Sequence, residues 1–590
     1  RFGGGGVGLF GSVVESCSFI RNWSTRDGGG LYAGSGVRNS HFAGNVAGER
    51  GGGVYGVWSV ESCTISGNSA QEGGGASGAT VSNSIIYHNT DQFGSPNHQD
   101  CTISYSCTWP DPGGVGNLTN SPGLAGLMNP HLVTNSPCVN AGTNSAWMTA
   151  AVDVDGEPRL NGRVDMGCDE VVATGMTHAL FIEIGSDSTN AVLGVPIRFD
   201  VEIRNRPTRY TWYWGDGFST ENETVAEHAY AAAGSYVATV RAWNVLGYVE
   251  WTQSVRIVAG FTNYVSVAGS GTPPYDTWAK AATRIQDAVD VCAKGGTVLV
   301  SNGVYATGGA ERSSSNRVAI TNVLTVRSVN GAGVTTIRGV ASTGLNAMRG
   351  AYVANGAQLM GFTLSEGRSK GLSVPLRSIG ETLGGGVYAE RGALVANCVV
   401  SNNGALNGGG ACGWGIFTNC SIVDNSAANS GGGALYGDFR NCTIGPGNAA
   451  RYGAGLAQAN AEISLVRENR AAESGGGAYL TTLRRSRIED NQSSLEAGGL
   501  SGGEAENCLI LFNTAQSGNG GGARGATVRN CVVRGNDASG SGGGVSGGVV
   551  DSSIVYYNYA ATNSNVHVGT GSIDYSCTTP APVTGTGNIT

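Results

Sequence analysis

Glycine triplets return along this chain at intervals of 22 to 24 residues, and that period limits what the backbone can build. They begin at Gly28, Gly51 and Gly73, then at Gly384, Gly408, Gly431, Gly475, Gly520 and Gly542. Degenerate forms, Gly453-Ala454-Gly455 and Ala497-Gly498-Gly499, fill two gaps. A second signature runs between the triplets: a small residue, an apolar residue two places on and Asn five places on, as in Cys63-Thr-Ile65-Ser-Gly-Asn68. Its Asn column reads Asn22, Asn45, Asn68 and Asn89 in a first block, then Asn403, Asn425, Asn469, Asn491, Asn513, Asn536 and Asn558 in a second. Asn448 stands one place late, after an insertion near Pro446. A fixed period of this length is the mark of a stacked-repeat architecture.

A spacing of two puts the small and apolar residues on one face of a strand, and a turn must follow to bring Asn to the same interior. Short strands separated by corners make a coil of about 22 residues, and coils stacked at the strand spacing of ~4.8 Å close three parallel sheets round a narrow core. The expected fold is all-β, a parallel β-helix. Each Asn then meets its equivalent one coil up and down and forms an amide ladder, a structural device and not a catalytic one. Seven of the 14 Cys alternate with Ser at the small inward position, so that column selects size and its thiols are expected to stay reduced. Cys107, Cys138 and Cys168 lie outside the column and are free to pair or not.

Composition removes several alternatives. Gly is abundant (98 of 590) but Pro is not (15), which excludes collagen. A net charge of −8 without a Lys/Arg run leaves no electrostatic footprint for nucleic acid. No run of about 18 apolar residues exists to span a bilayer as a helix. The chain opens at Arg1 without a signal-like segment and reads as an excerpt of a longer protein.

Three blocks follow from these patterns: 1–172, the last coils and cap of a first β-helix; 173–259, a small sandwich; and 260–590, a second β-helix that stops short of its own cap. In the middle block, strands alternate as in Ile197-Arg-Phe199-Asp-Val201-Glu-Ile203. Tyr210-Thr-Trp212-Tyr-Trp214-Gly215-Asp216-Gly217 is followed by His228-Ala-Tyr230 and Gly234-Ser-Tyr236. This block resembles the PKD domain, an immunoglobulin-like module of bacterial extracellular proteins; the resemblance implies a spacer or binding module in which Trp214 to Gly217 form a core strand and its turn. The third block opens with Ile285, Ala288, Val289 and Cys292 at helical spacing. It resembles the N-terminal end of right-handed β-helices of the pectin-lyase-like superfamily, where an amphipathic helix caps the core. The glycine motif with Phe19-Ile-Arg-Asn22 and Phe42-Ala-Gly-Asn45 is similar to the repeats of chlamydial polymorphic outer-membrane proteins, which are surface adhesins. Late in the chain, Tyr575-Ser-Cys577 and Gly587-Asn-Ile-Thr590 repeat Tyr105-Ser-Cys107 and Gly116-Asn-Leu-Thr119 at an offset of 470 or 471 residues, as a tandem unit would.

Catalysis on acidic polysaccharides needs clustered carboxylates, a base or calcium ligands on one sheet face. The outward positions carry Ser, Thr, Arg, Glu and Gly without clustering, and the Asn-Thr-Asp and Gly-His-Gly signatures of polygalacturonases are missing. The seven His, among them His41, His88, His131 and His178, show no metal-like spacing. Ser501 and Ser546 lie in GxSxG strings, but in repeat corners. The densest acid group, Asp153, Asp155, Glu157, Asp165, Asp169 and Glu170, reads as a polar cap with Arg159 and Arg163 as its ion-pair partners. No catalytic, metal or cofactor residue is therefore assigned. Tyr32, Tyr55, Tyr388 and Tyr436 follow the glycines and are candidate contact aromatics, suited to stacking on sugars or on a neighbouring chain.

The expectation is a non-enzymatic bacterial protein of the cell surface, an adhesive or structural fibre of tandem units. Its partners would be copies of itself, glycans or cell-surface ligands. The alternative is a polysaccharide-binding or polysaccharide-cleaving β-helix enzyme.

Overall fold

The computed structural model describes residues 7–8, 13–24, 26–91, 97–172, 179–342, 344–371, 379–569, 571–580, 582 and 585–590. His178 and the proposed start of the middle block at residue 173 lie outside them. The chain divides into two compact units, Arg1–Gly260 and Phe261–Thr590.

The first unit opens with three five-stranded parallel sheets that wind round one core. The third of these sheets contains Ser18–Ile20, His41–Ala43, Thr64–Ser66, Ile85–Tyr87 and Cys107–Thr108, in register one coil apart. Like stacks on like: Phe19 lies on Phe42 with ring centroids 4.7 Å apart. The second unit repeats the design at greater length. A 12-stranded sheet runs from Gly303–Tyr305 to Cys577–Thr578 and an eight-stranded one from Gly404–Asn407 to Tyr559–Thr562; the remaining strands join in a 23-stranded sheet. A continuous apolar core extends from Val265 to Ile573. At its start, helix Ile285–Val291 buries Ile285, Ala288 and Val289 against that core, with Cys292 just beyond, so the i, i+3, i+4, i+7 spacing marks the buried face.

Each coil turns at residues held with positive φ. In one coil these are Gln458 (50°), Ile463 (51°), Glu468 (51°) and Gly475 (69°); in the next, Leu480 (50°), Arg485 (49°), Asp490 (53°) and Ala497 (54°). Glycine is favoured at the last of these corners and the two positions after it for three separate reasons, although Ala497 takes the corner in one coil. Gly475 takes the left-handed conformation, a Cβ on Gly476 would stand 2.4 Å from the carbonyl oxygens of Gln492 and Gly498, and one on Gly477 would stand 2.8 Å from Gly499 O. The triplet is therefore a corner and two points of backbone-to-backbone contact between coils.

The sandwich of the first unit packs a three-stranded sheet, Phe181–Ser186, Ile197–Arg204 and Val225–His228, on a five-stranded one whose long strands are Gly234–Asn244 and Gly247–Val258. Ile197, Phe199, Val201 and Ile203 face inward as the alternation predicts. Trp212 and Trp214 stack at 5.1 Å, His228 stacks on Trp214 at 4.8 Å, and His228 Nε2 meets Asp216 Oδ2 at 2.7 Å, which ties the Gly-Asp-Gly turn to the core.

Between coils and sandwich lies the stretch after Thr119. It folds back along the outer face of the third sheet, so its cover is lateral. Leu124, Leu132, Cys138 and Met166 pack with Ile85 and Cys107. Cys168 N donates to Thr64 Oγ1 at 3.1 Å, Ser66 Oγ to Leu127 O at 2.8 Å, and Asn83 exchanges two hydrogen bonds with the Thr143 backbone. The far side of the same stretch carries the sandwich: Ile203 N donates to Ala125 O at 2.8 Å, and Tyr210 and Thr224 hydroxyls donate to Leu124 O.

Candidate functional site

The inward Asn column forms two ladders of one polarity. In the first, Nδ2 of Asn22, Asn45 and Asn68 donates to Oδ1 of the next coil's Asn at 2.9–3.0 Å, ending at Asn89. In the second, Asn403, Asn425, Asn448, Asn469, Asn491, Asn513, Asn536 and Asn558 continue the same pattern at 2.9–3.1 Å. Beyond Asn22, each ladder Nδ2 also reaches the carbonyl of a preceding coil, as Asn491 does to Val466 O at 2.9 Å. Both ladders carry one more rung than the repeat signature indicates. Asn97 accepts from Asn89, and Asn565 from Asn558, only eight and seven residues along the chain. The repeated Gly-Asn motif closes a second column in the same way. Asn117 and Asn588 accept from Ser106 N and Ser576 N at 3.0 Å, completing the Ser/Cys column. Among the described residues all 14 Cys are free thiols, Cys107, Cys138 and Cys168 included.

The four tyrosines are placed in different ways. Tyr32 and Tyr55 are half-buried and stacked, with centroids 5.6 Å apart. Tyr388 is buried, 5.9 Å from Tyr352 and with the Arg349 guanidinium over its ring. Tyr436 sits one place later in its coil, at φ 63°, and stacks on Trp414 at 4.2 Å. Between Tyr388 and Tyr479 the same register column carries Cys412, Leu435 and Ala457, so the aromatics form separate pairs.

One outward column of the second unit alternates in charge. Arg440, Glu462, Arg484, Glu506 and Arg529 face each other in successive coils, with Arg484 and Glu506 3.2 Å apart. Arg485 reaches back to Glu462, and Arg529 to Glu504 at 3.1 Å. A shallow trough of about 370 Å³ follows this column, lined by Asp438, Asn460, Glu462, Thr482, Arg484 and Glu504 among others. The alternation is legible in the sequence at a spacing of 22 or 23 residues once the coil is known.

The acid group of the cap converges on a cation that sequence reasoning missed. Arg206, between two sandwich strands, places its guanidinium 3.1 Å from Asp155, 3.0 Å from Glu157 and 2.5 Å from Asp169. Burial works against its charge, but Asp169 and Glu157 outweigh it and hold Arg206 above its ordinary value. The expected partners do otherwise: Arg159 donates to the carbonyls of Asp165 and Gly167, and Arg163 to those of Gly142 and Ala141. This corrects the ion-pair assignment. The acids and Arg159 belong to one irregular segment whose buried carbonyls need a donor, while Asp155, Glu157 and Asp169 face the sandwich.

His131 Nε2 meets Asp155 at 2.9 Å, and its Nδ1 contacts Asn129 Oδ1. Burial lowers the imidazole's affinity for a proton, but the Asp155 hydrogen bond and the Asp169 charge reverse the balance and raise its pKa. The hydrogen bond with His131 holds Asp155 below the usual carboxylate range. Asp153 turns inward to cap the backbone N–H groups of Asp155, Glu157 and Glu170. Burial pushes Asp165 to about 6 and Glu170 to about 7. Glu202, against Gly126, is likewise pushed by burial to about 7. His131, Asp155 and Asp169, or Asp153, Asp155 and Glu157, lie close enough to share a metal ion. Arg206 already supplies the counter-charge there, and the geometry is that of an internal ionic clasp between cap and sandwich.

These features define a class: a right-handed parallel β-helix protein carrying an immunoglobulin-like sandwich. Residues 182–257 match the PKD domain family. Residues 440–570 match the family described as periplasmic copper-binding protein (NosD). No curated protein matches the chain. Solved structures similar to it include an alginate lyase from Paenibacillus sp. str. FPU-7, at 11% identity over 48% of this chain and 95% of that one, with a TM-score of 0.26. A family 28 exopolygalacturonase of Yersinia enterocolitica aligns at 10% identity over 66% of this chain and 98% of its own, with a TM-score of 0.24.

Proposed function

We propose that this is a non-enzymatic bacterial protein of the cell exterior, an adhesive or structural surface fibre assembled from tandem β-helix and PKD units. One observation carries the reading: the glutamates of the outward column and its trough, Glu462, Glu504 and Glu506, are each matched by an arginine of a neighbouring coil, and Asp155, Glu157 and Asp169 of the densest acid group are folded around Arg206. The PKD and NosD matches support a place outside the cytoplasm. Among the described residues no helix is long and apolar enough to cross a membrane.

The name of the NosD family speaks of copper. In residues 440–570 the soft or imidazole ligands are Cys442, Cys508, Cys531 and His567. The three thiols donate into the core, to Phe417 O, Leu483 O and Ala505 O, and His567 Nδ1 meets Asn563 Nδ2 at 3.0 Å. Cys508 and Cys531 meet in adjacent coils, but Cys442 stands three coils earlier and His567 faces Asn563, so no third ligand joins the pair and the set does not fit a copper centre that draws several ligands around one point.

Two measurements test the proposal together. Incubation with pectate, alginate and neutral glycans should release neither reducing ends nor unsaturated products. Electron microscopy of native cell surfaces should show rods with one fixed longitudinal repeat. Product release would establish the enzyme reading in its place, and discrete monomers would remove the fibre.

A further inference from the structure

The two units treat the same surface differently. In the first, the outward column of the third sheet is exposed at Ser18 but at most 2% exposed at His41, Thr64, Ile85 and Cys107, where residues 121–171 lie on it. In the second, the equivalent sheet carries Leu509 (41% exposed), Val532 (half-buried), Ile554 (50%) and Cys577 (half-buried) in one register column. Arg487 bounds it on one side. A row of aliphatic side chains along a sheet face is what a polypeptide cover buries, and it offers a sugar few hydrogen-bonding groups.

The chain itself shows what fits. Residues 105–119 and 575–590 share more than a sequence motif. Asn117 and Asn588 complete the inward column with the same hydrogen bonds, and Leu118 and Ile589 bridge to Cys107 and Cys577 in the same parallel sense. In the first unit the stretch beyond Thr119 then sets Leu124, Leu132, Cys138 and Met166 against Ile85 and Cys107. The positions beneath those anchors correspond to Ile554 and Cys577.

We propose that the face formed by Leu509, Val532, Ile554 and Cys577 is a docking surface for a polypeptide cover of the kind formed by residues 121–171. This rests on the tandem reading, but its test needs no filament, so the two can fail separately. The cover hides Cys577 as its counterpart hides Cys107, and it supplies the mount on which a further sandwich would sit.

The experiment extends the full chain, residues 1–590, by a second copy of residues 120–172 joined after Thr590. Alkylation of Cys577 is followed by peptide mapping, with amide exchange across 549–578. Labelling should slow at least tenfold and the Ile554–Tyr556 strand should gain protection. In the extended chain, Ile554→Asp should restore labelling; in the parent chain, where Ile554 is exposed, the same change should leave the melting temperature within a degree. Unchanged labelling with a protease-sensitive extension would overturn the proposal. So would concentration-dependent protection of Cys577 in the parent chain, which would make the face an interface between copies, or protection by phosphatidylglycerol vesicles, which would make it a lipid contact.

Discussion

Ile463 occupies a corner where φ is 51°, a conformation costly for a β-branched side chain. The equivalent corners carry Asn397, Asn419, Asn441, Asn507 and Asn530, which tolerate it, and Asn441 Nδ2 donates to Asn419 Oδ1 at 2.7 Å. Ile463 is 55% exposed, so little burial is lost on its replacement. Ile463→Asn should therefore stabilise the second unit by about 1 kcal/mol, read by denaturant unfolding. The inward column predicts the opposite sign. Removing Asn491 deprives the N–H and Nδ2 of Asn469 of their shared acceptor and the Val466 carbonyl of a donor. At about 1–3 kcal/mol for an orphaned buried group, Asn491→Ala should cost about 2–4 kcal/mol, and Asn491→Ser should not rescue it because the hydroxyl is too short to bridge both coils.

At the scale of elements, the cover and the sandwich strand Ile197–Arg204 meet through a carboxyl whose ionisation works against folding. Glu202 accepts from Met128 N at 3.2 Å and is pushed to about 7, mainly by burial. A folded-state value above the unfolded one means that its contribution is intact below pH 4.5 and is lost as pH rises through 7. Glu202→Gln keeps an acceptor for Met128 N but never ionises. The variant should match the parent in melting temperature near pH 5 and exceed it at pH 8. An equal difference at both values would show that the carboxyl titrates normally.

At the scale of the whole molecule, each coil packs only on its neighbours, so stability should depend on period and not on total length. Deleting Ser464–Asn507 removes two coils, brings Asn448 to Asn513, and leaves Glu462 facing Arg529, which preserves the charge alternation. This chain should unfold cooperatively, with far-ultraviolet dichroism per residue unchanged. Deleting half a coil, Ser464–Ser474, throws every inward residue beyond it out of register and should abolish the transition.

The coil, its Asn ladder, the helix Ile285–Val291 and the alternating strand Ile197–Arg204 were all legible from residue spacing, because in each the burial of a side chain is set by the local period of the backbone. Asn97 and Asn565 escaped that reading. They join the ladder only eight and seven residues after the preceding Asn instead of a full coil later, and nothing in a 22-residue frame points to them. The cover 121–171 and the clasp of Arg206 with Asp155, Glu157 and Asp169 escaped it as well. Sequence alone determined the stacked-coil architecture, since a repeated pattern of small, apolar and amide residues has one way to bury itself. Which arginine answers which acid, and which sheet face is covered, were decided only in the tertiary structure, where charge and exposed apolar surface are matched between segments that share no period.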